Sequence, residues 1–214
     1  MKKQLLAIGL AVSLALASTA IHAKTFTWTA SADALSMDPY STNNSFTNSF
    51  MNNIYEGMVR FNEKVEIEPA LAESWSQTSP TVWRFKLRRN VKFHGGEPMT
   101  ADDVVFSWQR IQTPGSISRL NLGNVKDVRK VDANTVDVET KAPFPLLLNE
   151  LLNLTIMSKS WSEANNAKEA SDLQQKKENF ANRNTNGTGP FMLKSTSRPC
   201  WWPTPTGGTS PNTT

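Results

Sequence analysis

A strand, a turn and a capped helix follow one another over residues 83–111, and this succession strongly restricts the possible folds. Large apolar and basic side chains alternate over residues 83–88, the period of a half-buried strand. The turn 94–98 then leads to Thr100, which can cap a helix if the Asp103 side chain reaches back to it. Short strands interspersed with short helices predict a mixed fold, α/β or α+β.

Hydrophobic periodicity and turn residues predict further elements on both sides. The predicted strands are 25–29, 59–61, 91–93, 125–128, 135–139 and 191–193, and 71–75 is a short segment of unassigned type. The predicted helices are 43–57 (with the stripe Phe46, Phe50, Ile54 and Met58), 101–113 and 145–154, and the polar stretch 161–181 is helix-prone. Residues 34–40 and 183–189 are predicted to be connections.

The first 23 residues have the layout of a secretory signal peptide. Two lysines follow Met1, an apolar stretch runs from Leu5 to Ala20, and Ala23 suits a cleavage site. The alternative is a membrane anchor, but about 16 apolar residues are few for a bilayer span. Cleavage after Ala23 would leave about 191 residues, enough for one or two compact units.

The charge and cysteine content exclude several classes of protein. The formal net charge of +4 falls to about +2 once the two signal-peptide lysines are removed, so no nucleic-acid partner is expected. The densest basic stretch, 86–92, contains alternating apolar residues typical of a strand with one solvated face. The single cysteine excludes an internal disulfide framework.

The mature sequence contains no arrangement of residues typical of an enzyme. Its one histidine, His94, lies in a glycine turn, where a surface position is expected. Asp102 and Asp103 suit a helix N-terminus, and Gly187 belongs to a turn that lacks the lysine of a phosphate loop. No metal-ligand spacing is present. These residues predict a secreted binding module without catalytic residues, metal or cofactor.

Five stretches, taken in this order and spacing, carry a resemblance to a known family. They are SMDPY (36–40), NIYEGMVRF (53–61), EPALAESW (68–75), the long stretch from Trp83 to Arg110, and NGTGPFMLKS (186–195). Together they resemble the dipeptide- and oligopeptide-binding receptors of ATP-binding-cassette (ABC) importers, the family 5 extracellular solute-binding proteins. The resemblance covers residues 24–195.

The resemblance implies a periplasmic receptor that binds a peptide and delivers it, when full length, to an inner-membrane ABC permease. It implies a type II periplasmic-binding-protein-like fold of two lobes, of which this chain would have the N-terminal part and lack the second lobe. The implied division is 1–23 signal peptide, 24–58 start of the first lobe, 59–182 extra subdomain, 183–195 return to the first lobe, and 196–214 an aberrant tail. A monomer is expected.

Three ligand-binding residues follow from the resemblance, namely Asn43, Asn44 and Ser45 just after the Asp-Pro turn. In relatives the corresponding residues face the ligand. Their residue types are equally typical of helix caps, so both interpretations stay open. The loop after Pro114 is a further candidate for the wall of the cleft, with no residue assigned.

The tail from Cys200 has a composition unlike the preceding sequence, rich in proline, threonine and glycine. Its codons, shifted by one base, can encode VLVANPNWW, which resembles the strand and motif that relatives have at this point. We therefore hypothesise a frameshift between Ser195 and Pro199; the alternative is a natural disordered tail. The chain is then expected to be poorly stable and to bind peptide weakly.

Two other classes of function remain as alternatives at this stage. A secreted structural or chaperone-like protein is compatible with the same composition. A periplasmic hydrolase is less favoured, because His94 is the single histidine of the mature sequence and no organised nucleophile accompanies it.

Overall fold

The computed structural model describes residues 33–193, and these contain both helices and strands. The strands are β1 (Val59–Phe61), β2 (Ile67–Pro69), β3 (Ala72–Ser79), β4 (Val82–Leu87), β5 (Val125–Asp132) and β6 (Thr135–Thr140). The α-helices are α1 (Ser45–Met51), α2 (Ala101–Ile111), α3 (Leu147–Leu151) and α4 (Lys159–Ala164), with 3-10 turns at Ser118–Leu122 and Phe180–Asn182. None of these helices has the length and apolar character needed to span a membrane. The mixed α and β content confirms the predicted fold class.

An antiparallel sheet of four strands, in the order β3-β4-β6-β5, forms the centre of the described part. Phe85 and Leu87 of β4 point to the buried face, as do Val136 and Val138 of β6, while the residues between them point outwards. Helix α2 packs against β5 and β6. The alternation predicted for β4 is confirmed, and one continuous apolar cluster joins the sheet to the helices.

The N-terminus of α2 has the predicted capping box. The Thr100 hydroxyl accepts from the Asp102 N–H at 3.3 Å, and Asp103 Oδ2 accepts from the Thr100 N–H at 2.8 Å. Asp103 Oδ1 also accepts from the Lys159 N–H at 2.9 Å, so the same carboxylate fixes the start of α4. Burial raises the pKa of Asp103, while the bonds from Lys159 and Thr100 oppose this rise.

The helix predicted over 43–57 is too long, because α1 ends at Met51. The Asn53 and Ile54 carbonyls accept from the N–H groups of Phe191 and Gly189, at 3.0 and 2.9 Å. A distant segment therefore uses the carbonyls that a longer helix would bond internally. Periodicity within 43–57 could not reveal this competition.

Other predicted boundaries are also corrected. Residues 91–93 make only an isolated bridge from Lys92 to Pro98, and 191–193 form no strand. Within the polar stretch 161–181, helical structure is limited to the end of α4 and the start of a 3-10 turn. Strand β2 was not predicted and pairs with β1. The predicted signal peptide, the strand 25–29 and the tail from residue 194 lie outside the described residues.

A fully buried ion pair connects the start of the described chain to α2. Arg110 donates from Nη1 and Nη2 to the two carboxylate oxygens of Asp38, each at 2.7 Å, and neither side chain has exposed surface. Arg110 also donates from Nε to the Ala167 carbonyl and from Nη2 to the Glu169 carbonyl, both at 2.9 Å. One guanidinium therefore holds three segments that are distant in sequence.

The Asp38 carboxylate has further donors that keep it charged. The Tyr40 N–H donates to Oδ1 at 3.1 Å and the Ser171 N–H donates to Oδ2 at 2.9 Å. Burial by itself would raise the pKa of Asp38, but the Arg110 charge and these hydrogen bonds hold the pKa below its ordinary value. Asp38 and Arg110 are therefore both ionised at neutral pH.

Replacing Arg110 by methionine should destabilise the protein by roughly 3–5 kcal/mol, because Asp38 would be left buried without a counter-charge. The double variant D38L/R110M should lose much less stability, since no unpaired charge remains. Urea denaturation of the parent, the single variant and the double variant measures the difference. A double variant no more stable than R110M would contradict the role assigned to the pair.

The same pair predicts a dependence of stability on pH. Because the pKa of folded Asp38 lies below its unfolded value, its stabilisation is present above about pH 4 and is lost as the pH falls through the folded pKa. The free energy of unfolding, measured by urea denaturation at several pH values, should therefore fall in acid. In D38N the change of the unfolding free energy with pH should be smaller, by up to one bound proton, and an unchanged slope would contradict the prediction.

Gly187 packs against the Ile54 carbonyl so closely that a Cβ atom would overlap it. Gly187→Ala should therefore cost about 1–3 kcal/mol, through displacement of one backbone segment from the other. Gly123→Ala is the matched control, because a Cβ there would lie 3.6 Å from the nearest atom, the Leu120 oxygen. Thermal or urea unfolding should show a loss for G187A and little change for G123A; equal effects would argue against the close contact.

Candidate functional site

The three predicted ligand-binding residues lie together at the N-terminus of α1, with exposed side chains. Asn44 is the N-cap, because its Oδ1 accepts from the Thr47 N–H at 2.9 Å and from the Thr47 hydroxyl at 3.2 Å. Asn43 Oδ1 accepts from Asn48 Nδ2 at 3.3 Å, and Ser45 is the first helical residue. The capping interpretation is confirmed for Asn44, and contact of the three residues with a ligand stays a prediction.

The segment that carries these residues is fixed on both sides. On the N-terminal side, Asp38 is held by Arg110, and the Tyr40 hydroxyl donates to the Thr155 carbonyl. On the helical side, the Thr47 hydroxyl also accepts from the Leu35 N–H at 3.0 Å. The exposed side chains of residues 43–45 therefore project from a backbone that buried contacts hold in place.

The glycine-containing segment 186–189 crosses from the turn 94–98 to the turn after α1. The Gly187 carbonyl accepts from the His94 N–H at 2.9 Å, and the Gly189 carbonyl lies 2.8 Å from His94 Nε2. The Gly189 N–H donates to the Ile54 carbonyl, in the turn after α1, at 2.9 Å. We call residues 186–189 the glycine strap, because its backbone bonds to both turns at once.

Side chains reinforce the glycine strap at Asn186. The Asn186 Oδ1 accepts from the Gly95 N–H at 2.8 Å, and its Nδ2 donates to Glu97 Oε1. The same Glu97 oxygen accepts from the Ser158 hydroxyl at 2.7 Å. His94 is thus half-buried and bonded to the strap rather than free at the surface, and its contacts are those of a structural residue.

The loop after α2 borders a pocket of about 510 Å³. The lining residues are Pro114, Gly115, Glu163, Asn166, Lys168, Glu169, Ala170, Ser171, Asp172, Gln175, Lys177, Glu178 and Asn179. The lining carries charges of both signs, and Lys168 approaches Glu163 to 3.7 Å. The expected contribution of the loop after Pro114 to a ligand cleft stays a prediction. No group of three or more His, Cys, Asp or Glu side chains between residues 33 and 193 is placed to hold a metal.

Sequence reasoning missed the residues that build the frame around the site. Asp38, Arg110, Glu97 and Asn186 all lie within the stretches that carry the family resemblance, yet none was assigned a role. The stripe Val104, Trp108 and Ile111 gave little signal, because Arg110 points about 100° away from Ile111, at the border of the buried side of α2. A cation at such a position needs a buried partner, and the sequence alone does not say which carboxylate supplies it.

Two relatives and one solved structure illustrate what the chain is similar to. It is 30% identical over 135 residues to the periplasmic murein peptide-binding protein MppA of Escherichia coli, covering 54% of this chain and 25% of MppA. It is 26% identical over 185 residues to the periplasmic oligopeptide-binding protein OppA of Salmonella typhimurium, covering 72% of this chain and 34% of OppA. The structure of Helicobacter pylori DppA, an ABC transporter-associated periplasmic binding protein in complex with the peptide STSA, matches with a TM-score of 0.62 and 29% identity.

That structural match covers 75% of this chain and 35% of the DppA chain. The chain therefore spans about a quarter to a third of the length of these three proteins. The sequence profile of "Bacterial extracellular solute-binding proteins, family 5 Middle" matches residues 66–200, more than half of the chain. This match confirms the predicted resemblance, and the chain belongs to the family 5 bacterial extracellular solute-binding proteins.

Proposed function

We propose that this chain is the periplasmic solute-binding component of an ABC importer and that its ligand is a peptide. The observation that carries the proposal is the family match over residues 66–200. The relatives named above bind murein peptides, oligopeptides or the peptide STSA, according to their descriptions. The expected partners are a peptide and an inner-membrane permease.

A binding role without catalysis agrees with the chemistry of the described residues. The relatives named above are binding proteins. His94, the candidate general base, is committed to backbone contacts with the glycine strap. We therefore propose that the protein is not an enzyme, and that its predicted signal peptide directs it to the periplasm.

We propose that Asn43, Asn44 and Ser45 face the ligand. Their exposed amide and hydroxyl groups can donate to and accept from a peptide backbone, which requires both. The fixed segment around Asp38 supports this, because a preorganised polar surface spends less entropy on binding. Asn44 would then have two roles, because its side-chain oxygen caps α1 while its amide nitrogen can donate to a ligand.

The division into a first lobe (24–58 and 183–195) and an extra subdomain (59–182) also remains our proposal. The bonds from Gly189 to Ile54 and from Phe191 to Asn53 support it, because they return the chain to the segment before residue 59. The remaining strap contacts at His94 and Gly95 connect this return to the proposed subdomain. Residues 186–191 therefore hydrogen-bond both to the proposed first lobe, at Asn53 and Ile54, and to the proposed subdomain, at His94 and Gly95.

We further propose that the 214 residues by themselves bind peptide weakly. Peptide sites bury most of the ligand surface, and the relatives named above are three to four times the length that this chain covers. A ligand held by one wall leaves its other polar groups in water, where they gain little from the protein. The expected dissociation constant is about 1 mM, equivalent to about −4 kcal/mol.

Titration of the isotopically labelled chain with the tetrapeptide STSA, followed by amide chemical shifts, tests this function. Saturable shift changes should appear around residues 43–45, with an affinity in the millimolar range. N43A and S45A should reduce these changes without loss of stability. Asn44→Asp keeps the acceptor that caps α1, whereas Asn44→Ala should also lose about 1 kcal/mol of stability.

The outcomes separate the parts of the proposal. Absence of any saturable shift with STSA and with a control tripeptide of alanine would contradict a peptide-binding role. Shifts confined to residues elsewhere would leave peptide binding in place and contradict the assignment of residues 43–45. Micromolar affinity would contradict the proposed weakness of binding.

A further inference from the structure

Helix α1 differs from the other α-helices of residues 33–193 because none of its side chains is charged. The absence of charge extends beyond the helix, since residues 39–55 contain no aspartate, glutamate, lysine, arginine or histidine. The exposed side of a surface helix usually carries charged residues, which are well solvated there. The neutral surface of α1 therefore calls for a separate explanation.

The exposed polar side chains of α1 lie on one side of the helix. Ser45, Asn48, Ser49 and Asn52 are spaced at intervals of three, four and seven residues from the first, and such residues are neighbours on a helix surface. Asn48 is half-exposed and the other three are exposed. We call these four residues the neutral stripe. At 1.5 Å per residue it is about 10 Å long, which matches about three residues of an extended peptide.

Helix stability does not explain the residue types of the neutral stripe. Asparagine and serine are weaker helix formers than alanine, lysine or glutamate, any of which an exposed position would accept. Within the described part of the chain, the side chains of Ser49 and Asn52 make no hydrogen bond that would require their polar groups. These groups are therefore free to bind a ligand.

We propose that the peptide site at residues 43–45 continues along the neutral stripe, and that the stripe binds an uncharged, extended stretch of peptide backbone. Amide and hydroxyl side chains both donate and accept hydrogen bonds, as the N–H and C=O groups of a peptide backbone require. The stripe begins at Ser45, so it is continuous with the proposed site. This inference rests on the proposed peptide-binding function.

The stripe has no means of recognising the charged ends of a peptide. The two charged residues that bound the neutral stretch are already paired, Asp38 with Arg110 at 2.7 Å and Glu56 with Arg88 at 3.3 Å. A peptide whose ammonium and carboxylate are chemically blocked should therefore bind as well as the free peptide. Salt should have little effect, because it weakens interactions between charges and leaves neutral hydrogen bonds in place.

Titration of the labelled 214-residue chain with STSA and with STSA acetylated and amidated at its ends tests the proposal. The two dissociation constants should agree within about twofold, and so should values at low and high salt. Ser49→Ala and Asn52→Ala should each raise the constant about threefold to tenfold through loss of one hydrogen bond, without loss of stability in urea. Gln109→Ala, which removes an exposed amide from α2, is the matched control and should leave binding unchanged.

A charge placed on the stripe should create a preference that the parent lacks. An extended peptide on the stripe has one of its ends near Asn52, so either Asn52→Asp or Asn52→Lys should bind free STSA at least about threefold more tightly than the blocked form. Salt should abolish that preference. Gln109→Glu and Gln109→Lys add the same charges to α2 and should bind both forms equally. Misfolding does not produce a gained preference of this kind.

The outcomes distinguish failure of this inference from failure of the proposed function. Absence of saturable shifts with either form of STSA would contradict the peptide-binding function and the stripe together. Binding that is lost on blocking the ends, or weakened about tenfold by salt, would overturn the stripe and leave peptide binding in place. The same holds if S49A and N52A bind like the parent, or if neither charged variant at residue 52 gains a preference.

Discussion

The buried contact between Asp38 and Arg110 is the interaction on which the rest of the described structure depends. Removing two charges from water costs several kcal/mol for each ion, so such a pair persists only with nearly complete hydrogen bonding. Here Arg110 uses Nε, Nη1 and Nη2, and Asp38 adds two backbone donors, Tyr40 and Ser171. Since these groups come from three segments, 38–40, the end of α2 and 167–171, the geometry of the pair is compatible with one arrangement of those segments. The pair thus contributes specificity, whereas an apolar replacement of both partners could match its stability.

The candidate site depends on this pair on one side and on the glycine strap on the other. Asp38 fixes the turn before residues 43–45, and the Gly189 N–H of the strap donates to the Ile54 carbonyl after α1. The helix between them has only seven residues, too few to be stable without tertiary contacts. The exposed polar groups at its start are therefore positioned by contacts made elsewhere. This is the usual requirement for a binding surface that is ordered before its ligand arrives.

What the sequence could predict follows from how local each interaction is. Strand β4 and the Thr100–Asp103 capping box were predicted because all their determinants lie within a few residues. The end of α1 was predicted wrongly because Gly189 and Phe191, more than a hundred residues away, occupy its carbonyls. The Asp38–Arg110 pair was missed because a buried arginine on α2 does not identify its partner. For Asn44 the residue type predicted a cap, but no pattern could decide whether a ligand shares the side chain.

The stretches that carry the family resemblance contain Asp38, Arg110, Gly187 and Gly189 but not residues 43–45. The contacts of these residues suggest a reason for the difference. At Gly187 and Gly189 backbone packs on backbone, so a side chain at either position would force the two segments apart. Asp38 and Arg110 are similarly restricted, because each needs the other in one geometry. Asn43 and Ser45 have no such restriction, since exposed groups can change without a cost in packing. MppA and OppA are described as binding murein peptides and oligopeptides, and under our proposal a fixed frame would present replaceable polar groups to the ligand at residues 43–45.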